Sequence, residues 1–286
     1  MSVLIAAALP CGLLIGLLLG ALGGGGSILA VPALVYLLDQ SPHDATAGAL
    51  VVVAVGAVTG LACHARAGRI HWASGAAFGT LGAAGTYVGS RWSAAMAPNV
   101  LMTAFAGLMF VVAVALVSRS LRERRAAKSA EAVALRDAAE GTHPPTTHSP
   151  THPPTHPLTH PVRITHITRI AVTATAVGLL TGFFGVGGGF VVVPALTLVL
   201  GLEMPVAIGT SLLVILINSL TALVTRAGTG TLDWPLLTGF AACAAIGSYL
   251  GNRLTTRLPS QTLTAAFASL VAILAVTMAA AAIPRL

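Results

Sequence analysis

The chain has 286 residues, of which 56% are hydrophobic and 8% are charged, and its mean hydropathy is +0.89. A soluble domain carries about 25% charged residues, so these values exclude a soluble globular protein and indicate an all-α integral membrane protein. The net charge of +7 would suggest nucleic-acid binding in a soluble chain. Here the arginines collect in loops, as positive charge does on the cytoplasmic side of membrane proteins. The expected partner is therefore the lipid bilayer, and no nucleic-acid partner is predicted.

Eight stretches without Asp, Glu, Lys or Arg are long enough to span a membrane, which takes about 20 apolar residues. They cover residues 3–38, 45–65, 70–90, 92–118, 170–202, 204–225, 234–252 and 258–284. We therefore predict about eight transmembrane helices in two four-helix halves. The predicted units are an N-terminal transmembrane repeat over 1–118, a linker over 119–169 and a C-terminal transmembrane repeat over 170–286.

The first stretch is too long for one span, because 36 helical residues would measure about 54 Å against a hydrocarbon core of about 30 Å. Its glycine run, Gly23 to Gly26, is the expected break, since glycine is a poor helix former and adopts backbone angles that other residues avoid. The prediction is a helix over 3–22 and a half-helix over 27–38 that Ser27 caps. Each half thus opens with a glycine-broken, re-entrant segment.

The break belongs to a pattern that occurs twice. Gly-x3-Gly-x2-Gly-x-Gly-Gly-x5-Pro spans residues 16–32 and returns at 178–194, 162 residues later. A second pattern, Gly-x-Tyr-x-Gly-x-Arg, ends at Arg91 and again at Arg253, with the same offset. These matches predict two homologous halves.

Between the patterns, further helices are expected in chain order. In the first half Asp44 is the expected N-cap of a helix ending near Cys63, a glycine-spaced helix runs from Trp72 to Arg91, and a fourth covers 99–118. In the second half the corresponding helices cover 206–225, 234–253 and 260–283. With four spans per half, the halves are related by an axis along the membrane normal. Counting each glycine hairpin as an extra span gives inverted repeats instead.

The linker differs in composition from both halves. It holds eight of the fifteen basic residues and six of the nine histidines, which are His143, His148, His152, His156, His160 and His166. Its charge predicts a cytoplasmic location. The favoured count of four spans per half places both termini on that same side of the membrane. Clustered imidazoles can hold Zn, Ni or Cu, but a disordered Pro/Thr/His tract is the simpler interpretation, so neither a metal site nor a cofactor is predicted.

The glycine breaks are the main candidate site, because backbone N–H groups at a helix break within the membrane can bind an anion. The candidate residues are Gly23, Gly24, Gly25, Gly26 and Ser27 in the first break, Gly185, Gly187, Gly188 and Gly189 in the second, and Thr210, Ser211, Asn218, Arg91 and Arg253. The alternative is structural: glycines permit close helix crossing, hydroxyl and amide groups bond between helices, and helix-end arginines extend to lipid headgroups.

No catalytic set is present. The predicted spans hold no Asp or Glu, and no Walker loop or grouping of nucleophile, base and orienting residue occurs. A non-enzymatic protein with a small anionic partner is therefore predicted, and a homo-oligomer is compatible with the sequence.

The duplicated glycine pattern, the sequence 207–211 (Ala-Ile-Gly-Thr-Ser), Asn218, Asp233-Trp234 and the Gly-x-Tyr-x-Gly-x-Arg ends resemble the TauE/SafE family of sulfite exporters. The resemblance covers nearly the whole chain outside the His/Pro tract. It implies a multi-pass protein of the bacterial inner membrane that exports sulfite or an organosulfonate such as sulfoacetate, and alternating access is the expected mechanism. The chain departs from the pattern at 46–50 (Thr-Ala-Gly-Ala-Leu) and in its linker. The alternative hypothesis is a non-transporting membrane protein whose His-rich linker binds metal or a partner.

Overall fold

A computed structural model describes most of both halves of the chain. The described residues are 2–24, 26–38, 40–97, 164–185, 188–226 and 234–255, with scattered positions between 100 and 114 and residues 129 and 269. The predicted helix over 260–283, nearly all of the linker, and the candidates Gly25 and Gly187 lie outside this set. The predicted helix over 99–118 is described only at scattered positions.

Every regular element in the described ranges is helical. The elements are α1 Ser2–Leu22, α2 Ser27–Pro32 with a π-helical turn Ala33–Leu37, α3 Pro42–Arg66, α4 Trp72–Ala95, α5 Ile164–Phe184, α6 Gly189–Val199, α7 Met204–Arg226 and α8 Trp234–Thr255. Three of them, α3, α7 and α8 over Trp234–Leu254, are long and apolar enough to cross a membrane. The predicted all-α, multi-pass membrane protein is confirmed at this level.

Helix starts recur at one spacing. The helices α1, α2, α3 and α4 each begin 162 residues before α5, α6, α7 and α8, in that order. Both glycine runs fall where a helix ends: α1 stops at Leu22 and α5 stops at Phe184. The breaks therefore lie where the length argument placed them.

Two predicted caps are wrong. Ser41, not Asp44, is the N-cap of α3: its Oγ accepts a hydrogen bond from the Asp44 N–H (3.2 Å) and donates one to the Asp44 carboxylate (2.7 Å). This exchange lets the helix begin at Pro42, whose missing N–H costs nothing in the first turn. Ser27 is the first residue of α2 rather than its cap, and its hydroxyl donates to the Gly24 carbonyl (2.6 Å).

Two helix pairs pack through glycines, and each pair joins one half to the other. Along α1 and α8, Gly16 lies on Ala244 and Gly20 on Ser248; along α4 and α5, Gly178 lies on Gly82 and Gly182 on Thr86. In each case a Cβ on the glycine would overlap the backbone of the partner helix, so only glycine permits this approach. The increasing residue numbers on both sides show that each pair is parallel.

The helices α3 and α7 run in opposite directions. The Arg226 guanidinium at the end of α7 donates to Thr46 near the start of α3 (2.6 Å). At the other end, a Cβ on Gly209 near the start of α7 would lie 3.3 Å from the His64 Cβ near the end of α3. Two halves related by an axis along the membrane normal would have these corresponding helices parallel. The prediction of such an axis, made from four spans per half, is therefore wrong.

Further glycine contacts give the direction of the other helices. Ser248 on α8 donates to the Gly56 carbonyl on α3 (2.8 Å), and Gly48 lies on Leu237, so α3 and α8 are parallel. On α4, Gly75 lies on Thr210 and Gly82 on Asn218 of α7, so these two helices are also parallel. Hence α1, α3 and α8 begin at one face of the bundle, here called the near face, and α4, α5 and α7 begin at the opposite, far face.

This arrangement corrects the predicted topology. Both α1 and α3 begin at the near face, so the chain returns there through the Gly23–Gly26 break and α2. The helix α4 ends at the near face and α5 begins at the far face. The chain therefore starts on one side and enters α5 from the other, whereas the predicted topology put the N-terminus and the linker on the same side.

Candidate functional site

The two glycine breaks meet at the centre of the bundle. Gly24 and Gly189 are in backbone contact, and a Cβ on either would overlap the backbone of the other. Gly24 has a φ of +136°, in the region that favours glycine. Gly23, Gly26, Gly185 and Gly188 are also buried. The breaks are therefore closed against each other at this point.

One face of α7 runs beside both breaks. Ser211, Ile215 and Asn218 are spaced i, i+4 and i+7, which places them on one side of a helix. Ser211 donates a hydrogen bond to the Gly23 carbonyl, and a Cβ on Gly189 would lie 2.7 Å from the Ile215 Cδ1. Of the predicted site residues, Ser211 therefore contacts the first break, and Asn218 lies one helical turn beyond Ile215 on the same face.

Asn218 is the polar group on this face that has unused bonding capacity. It is 1% exposed, and neither atom of its amide has a hydrogen-bond partner among the described residues. Its Oδ1 would lie 3.1 Å from a Cβ on Gly82. An unsatisfied buried polar group costs about 1–3 kcal/mol, and the amide offers both a donor and an acceptor to a ligand.

The remaining polar candidates in this region have structural partners. Thr210 accepts a hydrogen bond from the backbone N–H of His71 (3.1 Å), which ties the start of α7 to the start of α4. Ser27 is bonded to Gly24 within the first break. A Cβ on Gly185 would lie 2.5 Å from the Thr46 Cβ, so the second break packs against the start of α3.

Arg91 and Arg253 are both exposed. Each guanidinium lies over the ring of the tyrosine one turn earlier, at 5.6 Å from the Tyr87 centroid and 5.5 Å from the Tyr249 centroid. Arg91 lies near the end of α4 at the near face, and Arg253 near the end of α8 at the far face. The structure thus does not bring the two predicted arginines together.

Arg226 is a candidate that the sequence interpretation missed. Its Nη1 donates to Thr46 on α3 (2.6 Å), and its Nη2 donates to the Gly182 carbonyl on α5 (2.8 Å). The guanidinium therefore links the two halves three residues before the second break. An arginine that ends a span is usually interpreted as a lipid anchor, so its place in the sequence does not mark it as a site residue.

A second missed residue is His64, at the corresponding place in the first half. It is fully buried, and its imidazole faces the Gly20 carbonyl. His64 and Gly20 precede Arg226 and Gly182 by 162 residues each. The repeat offset, applied to the basic residues, is the signal that would have found both side chains.

The core formed by the described residues contains no buried acidic side chain. Its buried polar side chains are Ser27, Thr46, His64, Thr86, Ser90, Ser93, Thr181, Thr210, Ser211, Asn218, Ser219 and Ser248, with neither Asp nor Glu among them. The core offers hydroxyl groups, one amide and one imidazole, and the Arg226 guanidinium lies at the second break. This set of groups suits an oxyanion better than a metal cation.

Proteins of similar sequence carry the name of probable membrane transporters. A protein of Xylella fastidiosa (strain Temecula1) named "Probable membrane transporter protein" is 32% identical over 250 residues, covering 86% of this chain and 82% of its own length. Two Bacillus subtilis proteins with the same description, YdhB and YunE, are 23% and 25% identical and cover 88% of this chain. No solved structure matches. The family described as "Sulfite exporter TauE/SafE" matches residues 8–278, and the chain therefore belongs to this family of membrane transporters.

Proposed function

We propose that this transporter moves a small oxyanion, sulfite or an organosulfonate such as sulfoacetate, out of the cell by alternating access. The substrate passes between the two glycine breaks along the α7 face of Ser211, Ile215 and Asn218. The observation that carries the proposal is Asn218: a buried amide with no partner among the described residues, one helical turn from the residue that touches Gly189.

The choice of an anion rests on charge. Asp44 and Glu203 are not among the buried residues, while Arg226 lies at the second break with two donated hydrogen bonds. Guanidinium groups bind oxyanions with two parallel hydrogen bonds. The N-terminus of α6, an 11-residue helix starting at Gly189, adds partial positive charge at the centre.

The closed contact between Gly24 and Gly189 supports the proposal of alternating access. A substrate can pass only when the two breaks separate, and each break belongs to a hairpin that returns to the face from which it came. We propose that these hairpins are re-entrant segments of two inverted repeats. In transporters of this type the substrate binds at the interface between the repeats, near the midplane of the membrane.

Positive charge orients the protein in the bacterial inner membrane. The far face carries Arg66 at the end of α3 and Arg69 in the loop that follows it, and α5, which comes after the basic linker in the sequence, begins at this face. Positively charged loops stay in the cytoplasm, so the far face is cytoplasmic. The near face, where α1 begins, is periplasmic, and the N-terminus therefore lies outside the cytoplasm.

Purified protein reconstituted in liposomes tests the proposal. A panel of sulfite, sulfoacetate, sulfate, acetate and chloride separates the substrate from general anion leak. The expected result is saturable flux of sulfite or sulfoacetate that falls at least tenfold in Asn218→Leu, since the leucine is similar in size but cannot hydrogen-bond. Thr80→Val is the matched control, because Thr80 is exposed and bonds only within its own helix. No flux of either sulfur oxyanion in wild-type protein would refute the proposed substrate class.

A further inference from the structure

His64 combines complete burial with unused hydrogen-bonding capacity. It is 0% exposed, and neither ring nitrogen makes a hydrogen bond of normal geometry within the described residues, although the ring faces the Gly20 carbonyl. Two unsatisfied buried nitrogens are costly. Simple packing at this place would be served better by an apolar side chain.

Arg226 shows what the same position does when it carries a charge. Its guanidinium donates to the carbonyl of Gly182, the residue that corresponds to Gly20. Protonated imidazole has two N–H donors and no acceptor, so a charged His64 could donate to Gly20 as Arg226 donates to Gly182. One half thus holds a guanidinium, and the other holds an imidazole, which can gain or lose a proton.

The surroundings of His64 supply no fixed negative charge among the described residues. Arg69, in the loop after α3, is the charged group that acts on the ring, while Arg66 on α3 and Arg253 on α8 are exposed at the same face. On α1 and α7 the residues that meet His64 are Gly20 and Gly209. A proton on His64 is therefore repelled by Arg69, and an anion entering from this face would relieve the repulsion.

We propose that His64 binds a proton that is transported together with the anion. This inference rests on the proposed function and names its coupling ion. Anion and proton each raise the affinity for the other, because binding coupling is reciprocal. The protein then changes between its two access states with the anion and the proton bound together. Flux of the anion therefore carries protons in the same direction.

The test measures proton and anion fluxes together in proteoliposomes that contain a trapped pH-sensitive dye. Methanesulfonate is the probe, since its charge stays constant between about pH 5 and 8, the range in which histidine titrates. We expect an imposed methanesulfonate gradient to drive protons in the same direction in wild-type protein. His64→Gln and His64→Arg should abolish this proton movement, and His64→Arg should keep anion flux because it copies Arg226. His71→Gln, a change at an exposed histidine of the same face, should behave as wild type.

The outcomes separate this inference from the proposed function. Anion flux without proton movement in wild-type protein, or unchanged proton movement in both His64 variants, would overturn the role of His64 and leave anion transport standing. Histidine NMR of the detergent-solubilised protein gives a readout that needs no transport, with the His64 signal assigned by its loss in His64→Gln or His64→Asn. We expect methanesulfonate to shift the titration of His64 to higher pH, and a His64 that stays neutral down to about pH 5 would refute the proposal even if no anion moves.

Discussion

Ser41 and Glu203 immediately precede α3 and α7, 162 residues apart, and lie at opposite faces of the bundle. Corresponding positions of repeats related by an axis along the membrane normal would share a face. Both residues are exposed, so each can carry a chemical label without disturbing the core. Their relationship gives the sharpest test of the topology.

We predict that Ser41→Cys and Glu203→Cys are labelled from opposite sides of the membrane. The two changes are made singly in a chain whose own cysteines, Cys11, Cys63 and Cys243, are replaced by Ala. In intact cells a membrane-impermeant maleimide should modify Ser41→Cys, because the proposed orientation puts the near face in the periplasm, and should leave Glu203→Cys unmodified until the cells are opened. Labelling of both positions in intact cells, or of neither, would contradict the inverted arrangement.

The contact between Gly24 and Gly189 predicts an intolerance to the smallest added side chain. Gly189→Ala should destabilise the protein by about 1–3 kcal/mol, the usual cost of overpacking a core, since its Cβ overlaps the Gly24 backbone. Thermal unfolding in detergent measures the effect, and anion flux should fall in parallel. Gly239→Ala is the matched control, because a Cβ on Gly239 meets nothing within 4 Å, and alanine is the better helix former. Equal melting temperatures for the two variants would show that the breaks are not packed as described.

Arg226, rather than Arg91 or Arg253, should be the arginine on which function depends. Arg226→Lys keeps the charge but replaces the two guanidinium nitrogens, which donate separately to Thr46 and to the Gly182 carbonyl, with a single ammonium nitrogen. We expect flux to fall about tenfold or more, the consequence of losing about 1.4 kcal/mol or more of binding or positioning energy. Arg91→Lys should change flux less than twofold, because Arg91 is exposed and contacts Tyr87 on its own helix. A larger loss of flux in Arg91→Lys than in Arg226→Lys would instead indicate that the binding site lies at the Gly-x-Tyr-x-Gly-x-Arg ends.

Deletion of residues 142–161 distinguishes transport from the alternative function of the linker. That tract contains most of the clustered histidines and lies outside the described residues. Since the proposed path runs along α7, the deleted protein should retain wild-type anion flux in liposomes. Loss of flux, together with normal expression and thermal stability, would instead favour an essential metal-binding or docking role.

The sequence predicted the helices well because each signal was local. Glycine runs ended α1 and α5, and the interfacial aromatics Trp72 and Trp234 opened α4 and α8. The cap of α3 was misplaced by three residues because Ser41 and Asp44 bond to each other, and composition does not tell which of the two starts the helix.

Helix direction could not be predicted in the same way. Hydropathy records the length of an apolar stretch but not the way it runs, and a hairpin that returns to its own face changes the direction of every later span. Ser211 and Asn218 were found because polar residues stand out within an apolar helix. Arg226 was missed because its role depends on Thr46, which is distant in sequence.

The glycine seams have a mechanical consequence. Since glycines pack α1 closely against α8 and α4 closely against α5, the tightly packed helix pairs do not coincide with the two halves of the sequence. One pair contains α1 and α8, the other contains α4 and α5, and each pair takes one helix from each half. Two fragments cut within the linker should therefore be unable to transport the anion separately. They should reassemble when they are made together, because each fragment supplies one helix of both glycine-packed pairs.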